Sequence, residues 1–476
     1  MRAWDLAKRY AANALVAQVA RFVARRDKEG IIGLVRVMER LAPYEYQRRR
    51  LEWMRQLFEQ DHPATRLALR VARELHPKVR AKLIQNLFVN NAWLGSRRRA
   101  EVERNEGIHV PYLFVISPTM RCNLRCYGCY AGAYRQEDDL PFDLWDSILQ
   151  QAKDLGIFFV TISGGEPFVR ADELLDLAWK HNDMVFQVYT NGTLIDERMA
   201  QRLRDVGNVS PAISVEGFTE QTDERRGPGV HRKVLRAMAA LREAGCLYGF
   251  SATVTRHNAE VLASDDFIDF YVEQGCYFGW FFNYIPIGRG PDLDLMPTPE
   301  QRNMMRLQAM KIRRTRPIFV ADFWNDGALT GGCMAGGRMY FHVNHRGEVE
   351  PCVFAHFAVD NLHDKTLKEA LASEFFRAIQ RRQPYHENLL RPCMIIDHPH
   401  ILREIVAETG ARATDVGGEK LLTEKAAGLD DYARRWAEIA DRAWEQEDYS
   451  WAKRGGLMDA EEAVRQQEAA QMQMAK

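Results

Sequence analysis

What this 476-residue chain lacks narrows its class before any motif is considered. No apolar run is long enough to cross a bilayer. The stretch 11–24 is broken by Gln18 and Arg21, and no small-residue cleavage pattern follows it, so neither a transmembrane helix nor a signal peptide is expected. Net charge is absent as well: 65 basic residues balance 65 acidic ones, which removes any global attraction to nucleic acid or membrane. The arginine runs at 48–50 and 97–99 carry no interleaved aromatics, and Glu101 and Glu103 follow the second, so no nucleic-acid partner is read. Eight cysteines are too few for a disulfide scaffold, and three of them crowd into eight residues. That pattern points to a metal site in a reducing, cytoplasmic compartment.

The charge that is present is uneven. Residues 1–110 hold 23 Lys/Arg against 12 Asp/Glu, so the remainder carries the matching acidic excess. This leader reads as helical, with Leu15, Val16, Val19, Phe22 and Val23 on one face and Arg21, Arg25 and Arg26 off it, and with breaks near Gly30, Pro43, Pro63 and Pro77. Two roles fit it: a helical cap on the rest of the protein, or a basic amphipathic surface in peripheral contact with an anionic membrane.

From 111 to about 296 the pattern changes. Apolar runs at 112–117, 158–163, 185–189, 212–215, 249–254 and 278–285 alternate with helical stretches at 142–155, 171–181, 196–206, 232–244 and 263–274. Such alternation predicts an α/β fold, a parallel sheet wrapped into a partial (β/α)6 barrel with functional groups on loops after the strands. Beyond it, 297–400 holds a helix near 300–314, a short apolar run, Cys333 and a hairpin (338–344 and 349–354, turning at Arg346-Gly347). Residues 401–476 read as a helical tail, frayed after Gly456.

The loop after the first strand is Cys122-Asn-Leu-Arg-Cys126-Tyr-Gly-Cys129. Three soft thiolates there can hold three irons of a four-iron cluster and leave the fourth open. A zinc knuckle is the competing reading, but a closed zinc site wants four ligands. The CxxxCxxC spacing on this loop resembles the radical S-adenosylmethionine superfamily. The resemblance implies that the open iron binds S-adenosylmethionine, and that a low-potential flavodoxin- or ferredoxin-type donor supplies the electron that splits it into methionine and a 5′-deoxyadenosyl radical. It also implies cofactor contacts from Gly164, Gly165, Glu166 and Pro167, from Ser214 and Glu216 at the ribose, and from Thr255 or Asn258. The family has an aromatic residue before the third cysteine. Here that position is Gly128, which leaves adenine to Tyr127 or Tyr130. Arg225-Arg226-Gly227 is similar to a segment that in relatives follows strand four, although solvated loop arginines are the simpler expectation.

Cys333, Gly347 and Cys352 follow the spacing C-x13-G-x4-C, which resembles the start of a SPASM or twitch extension carrying an auxiliary four-iron cluster. The dense cysteine group that completes SPASM is absent, and Cys393 is the third ligand available. The fourth position is open or filled by a residue such as Asp397 or His398. Three unrelated buried thiols are the alternative, as expected for Cys246 and Cys276. His342, His345 and His356 near the hairpin read as surface or packing residues. The expected function is hydrogen abstraction from an unidentified substrate, with a peptide favoured. A lipid or isoprenoid chain and a non-catalytic electron carrier are the alternatives.

Overall fold

The computed structural model describes residues 28–41, 45–133 and 138–447, together with Tyr449 and Ala452. The apolar face around Leu15–Val23 and the tail beyond Gly456 lie outside them. The described chain is built on one sheet, with strands β1 (Phe114–Ile116), β2 (Phe159–Ile162), β3 (Val185–Thr190), β4 (Val209–Val215), β5 (Gly249–Val254), β6 (Phe278–Asn283), β7 (Phe319–Asp322), β8 (His342–Val343) and β9 (Val349–Glu350). The order across the sheet is β7-β6-β5-β4-β3-β2-β1-β8-β9, with only β8–β9 antiparallel. The six expected βα units are present in the expected sequence. Strands β2, β3 and β4 are buried at all but one position each, which is why they read as apolar runs, whereas β5 and β6 alternate between buried and partly exposed positions.

Two features exceed the expectation. The short apolar run after the helix Pro299–Thr315 becomes β7, a seventh parallel strand beside β6. The hairpin is not a separate module: Val115 pairs with His342 and Ile116 with Val343, so β8 extends the barrel sheet on the far side of β1. The proposed boundary at 296/297 therefore divides two sequence regions that share one sheet. In the leader, Gly30 lies in the first turn of the helix Lys28–Leu41, and the residues before Lys28 lie outside the described ones. Pro63 and Pro77 open helices at their first position, where a missing N–H is harmless. Pro43 lies outside the described residues.

The leader covers the start of the strands. A twelve-residue π-helix, Ile84–Gly95, presents Asn86, Asn90 and Asn91 from one broad face. Asn86 Nδ2 donates to the carbonyls of Asn182 (3.0 Å) and Met184 (2.8 Å), Asn90 Nδ2 to Asp183 (2.9 Å), and Asn91 Oδ1 accepts from Phe158 N–H (3.0 Å). Basic side chains do the same to helix ends. Arg98 donates to Asp154 O, Arg99 to Gly156 O, Lys78 to Asp205 O, and Arg70 to Cys276 O and Pro317 O. Each acceptor lies at or just past the end of a crossover helix, or just before a strand. Crossover helices direct their carbonyl ends to this side, and cations there oppose the negative end of the helix dipole. The basic surplus of the leader thus has a local use as a cap on the barrel floor. Arg99→Ala, which strands the Gly156 carbonyl beneath a buried guanidinium site, is expected to lower unfolding free energy by about 2 kcal/mol, measured by chemical denaturation against the exposed control Arg97→Ala.

Candidate functional site

The cysteine loop leaves β1 and lies on the loop after β2. Gly164 (φ +112°) and Gly165 face its backbone, and a Cβ at either would fall on the carbonyl oxygens of Thr119 or Arg121. In turn Gly165 N–H donates to Thr119 O (2.9 Å) and Glu166 N–H to Arg121 O (2.8 Å). The glycine pair is therefore required first by the seat of the cysteine loop, and only its remaining edge faces the cavity.

Cys122, Cys126 and Cys129 are each partly exposed and line a cavity of about 210 Å³ with Gly164, Gly165 and Ser214. Leu124 N–H donates to Cys122 Sγ (3.4 Å), and Asn191 Nδ2 approaches the same sulfur at 3.9 Å. Three partly open thiols on one loop, with N–H groups turned toward sulfur, suit a four-iron cluster.

Several expected contacts fall elsewhere. Glu166 is fully buried, and its carboxylate accepts from Phe168 N–H (3.0 Å), Thr190 Oγ1 (2.8 Å) and Asn191 N–H (2.7 Å), locking the loop after β2 to the loop after β3. Pro167, also buried, opens the short 3-10 turn Pro167–Arg170. Neither lines the cavity. Asn258 is consumed by Thr255 N–H and Oγ1 (2.7 and 2.9 Å) and by the carbonyls of Glu216 (2.9 Å) and Thr253 (3.0 Å). Glu216 is buried as an acceptor for Arg225 Nη1 (2.6 Å) and Arg226 Nε (2.8 Å). These arginines are the larger correction: they are not solvated but buried or nearly so, and both line the cavity. Two guanidiniums on one carboxylate leave that wall with excess positive charge.

Of the two tyrosines, Tyr130 and not Tyr127 lines the cavity; its hydroxyl is 2.6 Å from Ser163 Oγ and accepts from Gly164 N–H at 3.3 Å. The space beside Gly128 is filled from β6: a Cβ there would stand 2.8 Å from the ring of Tyr284. The side chains that composition did not single out are Thr161 and Ser163, Gln187 and Tyr189, and Ser251 and Thr253. They are pairs two residues apart on β2, β3 and β5 or at their ends, and this period of two inside apolar strands is the signal that marks them.

The second cysteine group closes the opposite side. Cys333, Cys352 and Cys393 lie within electrostatic reach of one another, and burial pushes each thiol up to about 12, so cluster loading must displace their protons. Cys246 and Cys276, by contrast, are isolated core thiols. Asp397 is excluded as the free fourth ligand. Its carboxylate is held by Arg302 through Nη1 (2.5 Å) and Nη2 (3.2 Å) and accepts from Cys393 N–H (2.9 Å). His398 Nε2 is engaged at Arg391 O (3.0 Å). The histidines of the hairpin are buried packing groups: His342 bridges Ser117 Oγ (2.8 Å) and Glu350 Oε2 (2.7 Å), and His356 bridges Asp415 (2.9 Å) and Val353 O (3.0 Å).

Two substitutions separate the halves. Gly165→Ala is expected to displace the Cys122 loop and lower iron by about four per chain while leaving the second site loaded. Arg302→Ala leaves Asp397 as an unpaired buried charge, which costs about 3–5 kcal/mol, and removes the second four irons instead. Iron and labile-sulfide counts distinguish the two outcomes.

Comparison with known proteins agrees with this geometry. The Radical SAM superfamily model matches residues 116–261, and an iron–sulfur cluster-binding domain model, SPASM, matches residues 333–394. Mycofactocin maturase MftC of Mycobacterium ulcerans is 30% identical over 302 residues, covering 60% of this chain and 79% of the relative. An AdoMet-dependent heme synthase of Methanosarcina barkeri is 25% identical over 346 residues, covering 66% and 96%. Streptococcus suis SuiB, solved with its precursor peptide SuiA, shares the fold with a TM-score of 0.52 at 18% identity, covering 69% of this chain and 87% of that one. The chain belongs to the radical SAM superfamily, as an enzyme that uses a [4Fe–4S] cluster with S-adenosylmethionine and carries a SPASM cluster-binding domain.

Proposed function

We propose that this enzyme abstracts hydrogen from a peptide, with its radical-generating cluster on Cys122, Cys126 and Cys129 and an auxiliary cluster on Cys333, Cys352 and Cys393. The observation that carries the reading is one cavity with both cysteine groups at its walls. Cys122, Cys126 and Cys129 line it directly, and Met334 and Val353, the neighbours of Cys333 and Cys352, line it from the other side.

Cys122, Cys126 and Cys129 would hold the four-iron cluster, which would supply the one-electron reduction of S-adenosylmethionine on which hydrogen-atom abstraction depends. The protein orients and shields. The cavity-lining backbone of Gly164 and Gly165 and the Ser214 hydroxyl supply short-range polar contacts beside the cysteine loop. Arg225 and Arg226, held by Glu216, present the excess positive charge that a carboxylate of S-adenosylmethionine requires. Trp280, Phe282, Phe323 and Phe354 form an apolar wall that excludes water and suits an apolar or aromatic side chain. The likeness to a maturase supports a peptide as the bearer of that side chain. The basic leader suggests a lipid substrate as the alternative, but its Arg70, Lys78, Arg98 and Arg99 are engaged on the barrel floor, and Lys28, Arg36 and Arg55 pair with carboxylates of the leader itself. Among the described residues no helix is long and apolar enough to cross a membrane. The electron enters from a flavodoxin- or ferredoxin-type donor.

Protein reconstituted without oxygen and reduced with dithionite is expected to form 5′-deoxyadenosine from S-adenosylmethionine. The variant with Cys122, Cys126 and Cys129 replaced by Ala forms none and keeps about four irons. Deuterium transfer from labelled peptides into 5′-deoxyadenosine identifies the substrate class. A loaded wild-type protein that yields no 5′-deoxyadenosine with any reductant would overturn the assignment of the first cysteine loop. Arg226→Ala is expected to weaken S-adenosylmethionine binding at least tenfold, read by equilibrium dialysis.

A further inference from the structure

We infer that Tyr340 is a positioning residue for the auxiliary centre, donating its phenolic hydrogen to the Cys352 sulfur from the wall of the substrate cavity and so raising that centre's reduction potential. The inference rests on the reading of Cys333, Cys352 and Cys393 as cluster ligands.

Tyr340 stands just before β8 and is 2% exposed. Its hydroxyl oxygen lies 2.9 Å from Cys352 Sγ. Between a phenol and a thiol either group can donate. A cysteine that ligates iron has lost its proton, and the phenol is then the sole donor of the pair. The ring is held edge-on by Phe323 at 5.8 Å and lines the cavity together with Met334, Val353 and Phe354. One side chain thus touches both the substrate space and a sulfur of the second site. Cys352 also accepts from Phe354 N–H at 3.5 Å, so this sulfur has a backbone and a side-chain donor, while Cys393 accepts from Ile395 N–H at 3.3 Å. Hydrogen bonds to cluster sulfurs favour the more negative, reduced state, and they are one of the means by which proteins set cluster potentials.

The structure supplies its own comparison. Tyr385 lies in the same buried surroundings and within electrostatic reach of the same three thiols, but its hydroxyl donates to Met394 Sδ (3.4 Å) and receives Gln383 Nε2 (3.4 Å). Removing that hydroxyl alters packing near the site without altering a bond to a cysteine.

The test uses the full chain with Cys122, Cys126 and Cys129 replaced by Ala, so that only the second site holds iron, and compares it with the same protein bearing Y340F or Y385F. Iron is counted, the potential is read by titration followed with electron paramagnetic resonance, and exchangeable deuterons near the cluster are read by electron–nuclear double resonance after transfer to D2O. Y340F is expected to hold the same iron, to titrate at a lower potential and to lose one rapidly exchanging deuteron coupling, while Y385F matches the parent. An unchanged potential and deuteron pattern in Y340F overturns the inference, as does an equal shift in Y385F, which would mark a general packing effect. Should Y340F fail to load, the parent decides, because the absence of a rapidly exchanging coupled deuteron there overturns the inference as well. A parent that holds no iron overturns the cluster reading itself, and the role of Tyr340 with it.

Discussion

The pairing of β8 with β1 is the constraint on which the functional architecture depends. Two residues of a distant hairpin join the strand that launches the first cysteine loop, and a buried chain from Ser117 through His342 to Glu350 fixes the join. Asn344 Nδ2 (2.8 Å) and Thr414 Oγ1 (2.5 Å) complete the coordination of the Glu350 carboxylate. A carboxylate this deep is tolerable only when its acceptor positions are filled, and removing one partner would leave a desolvated charge. The consequence is geometric. The first cysteine loop follows β1 and Cys352 follows β9, so the separation of these two points is set by strand spacing in a single sheet.

The cavity between them combines two kinds of wall. Aromatic rings from β6 and the loops around it make one side apolar, and Arg225 and Arg226 make another cationic. In water such a pair of like charges would gain little from a bound carboxylate. Behind an apolar wall the same interaction is weakly screened, and orientation follows from it. Glu216 keeps the two guanidiniums in place, and Asn258 Nδ2 ties the Glu216 backbone to β5 by donating to the carbonyls of Glu216 and Thr253. Glu216 and Asn258, expected to touch the cofactor, thus lie one layer behind the cavity wall.

Much of this was legible in the sequence, and the limits were physical. The βα alternation located six strands and five helices closely because strands buried on both faces and crossover helices have different apolar periods. The helix Phe142–Leu155 ends as read because Gly156 accepts a left-handed conformation there. The cysteine loops were legible because ligand chemistry fixes both residue type and spacing. Side-chain direction was not. Glu166, Pro167, Glu216 and Asn258 sit in the expected loops yet turn into the protein, and of the two tyrosines, three residues apart, Tyr130 lines the cavity and Tyr127 does not. Ser251 and Thr253 were hidden inside β5, where a short strand gives too few alternations to separate its two faces. The parallel β1–β8 contact, between residues 225 apart at Ser117 and His342, leaves no local trace at all.

The barrel floor has a kinetic implication. The leader helices precede in the chain the groups that they cap: Arg99 waits 57 residues for Gly156, and Arg70 waits 247 for Pro317. Contacts of such sequence separation form late, since loop-closure entropy must be overcome before they contribute. Until then the carbonyl ends of the crossover helices face water. The leader therefore acts as a closing element for the barrel floor, docking only after the helices and strands that it caps have been made.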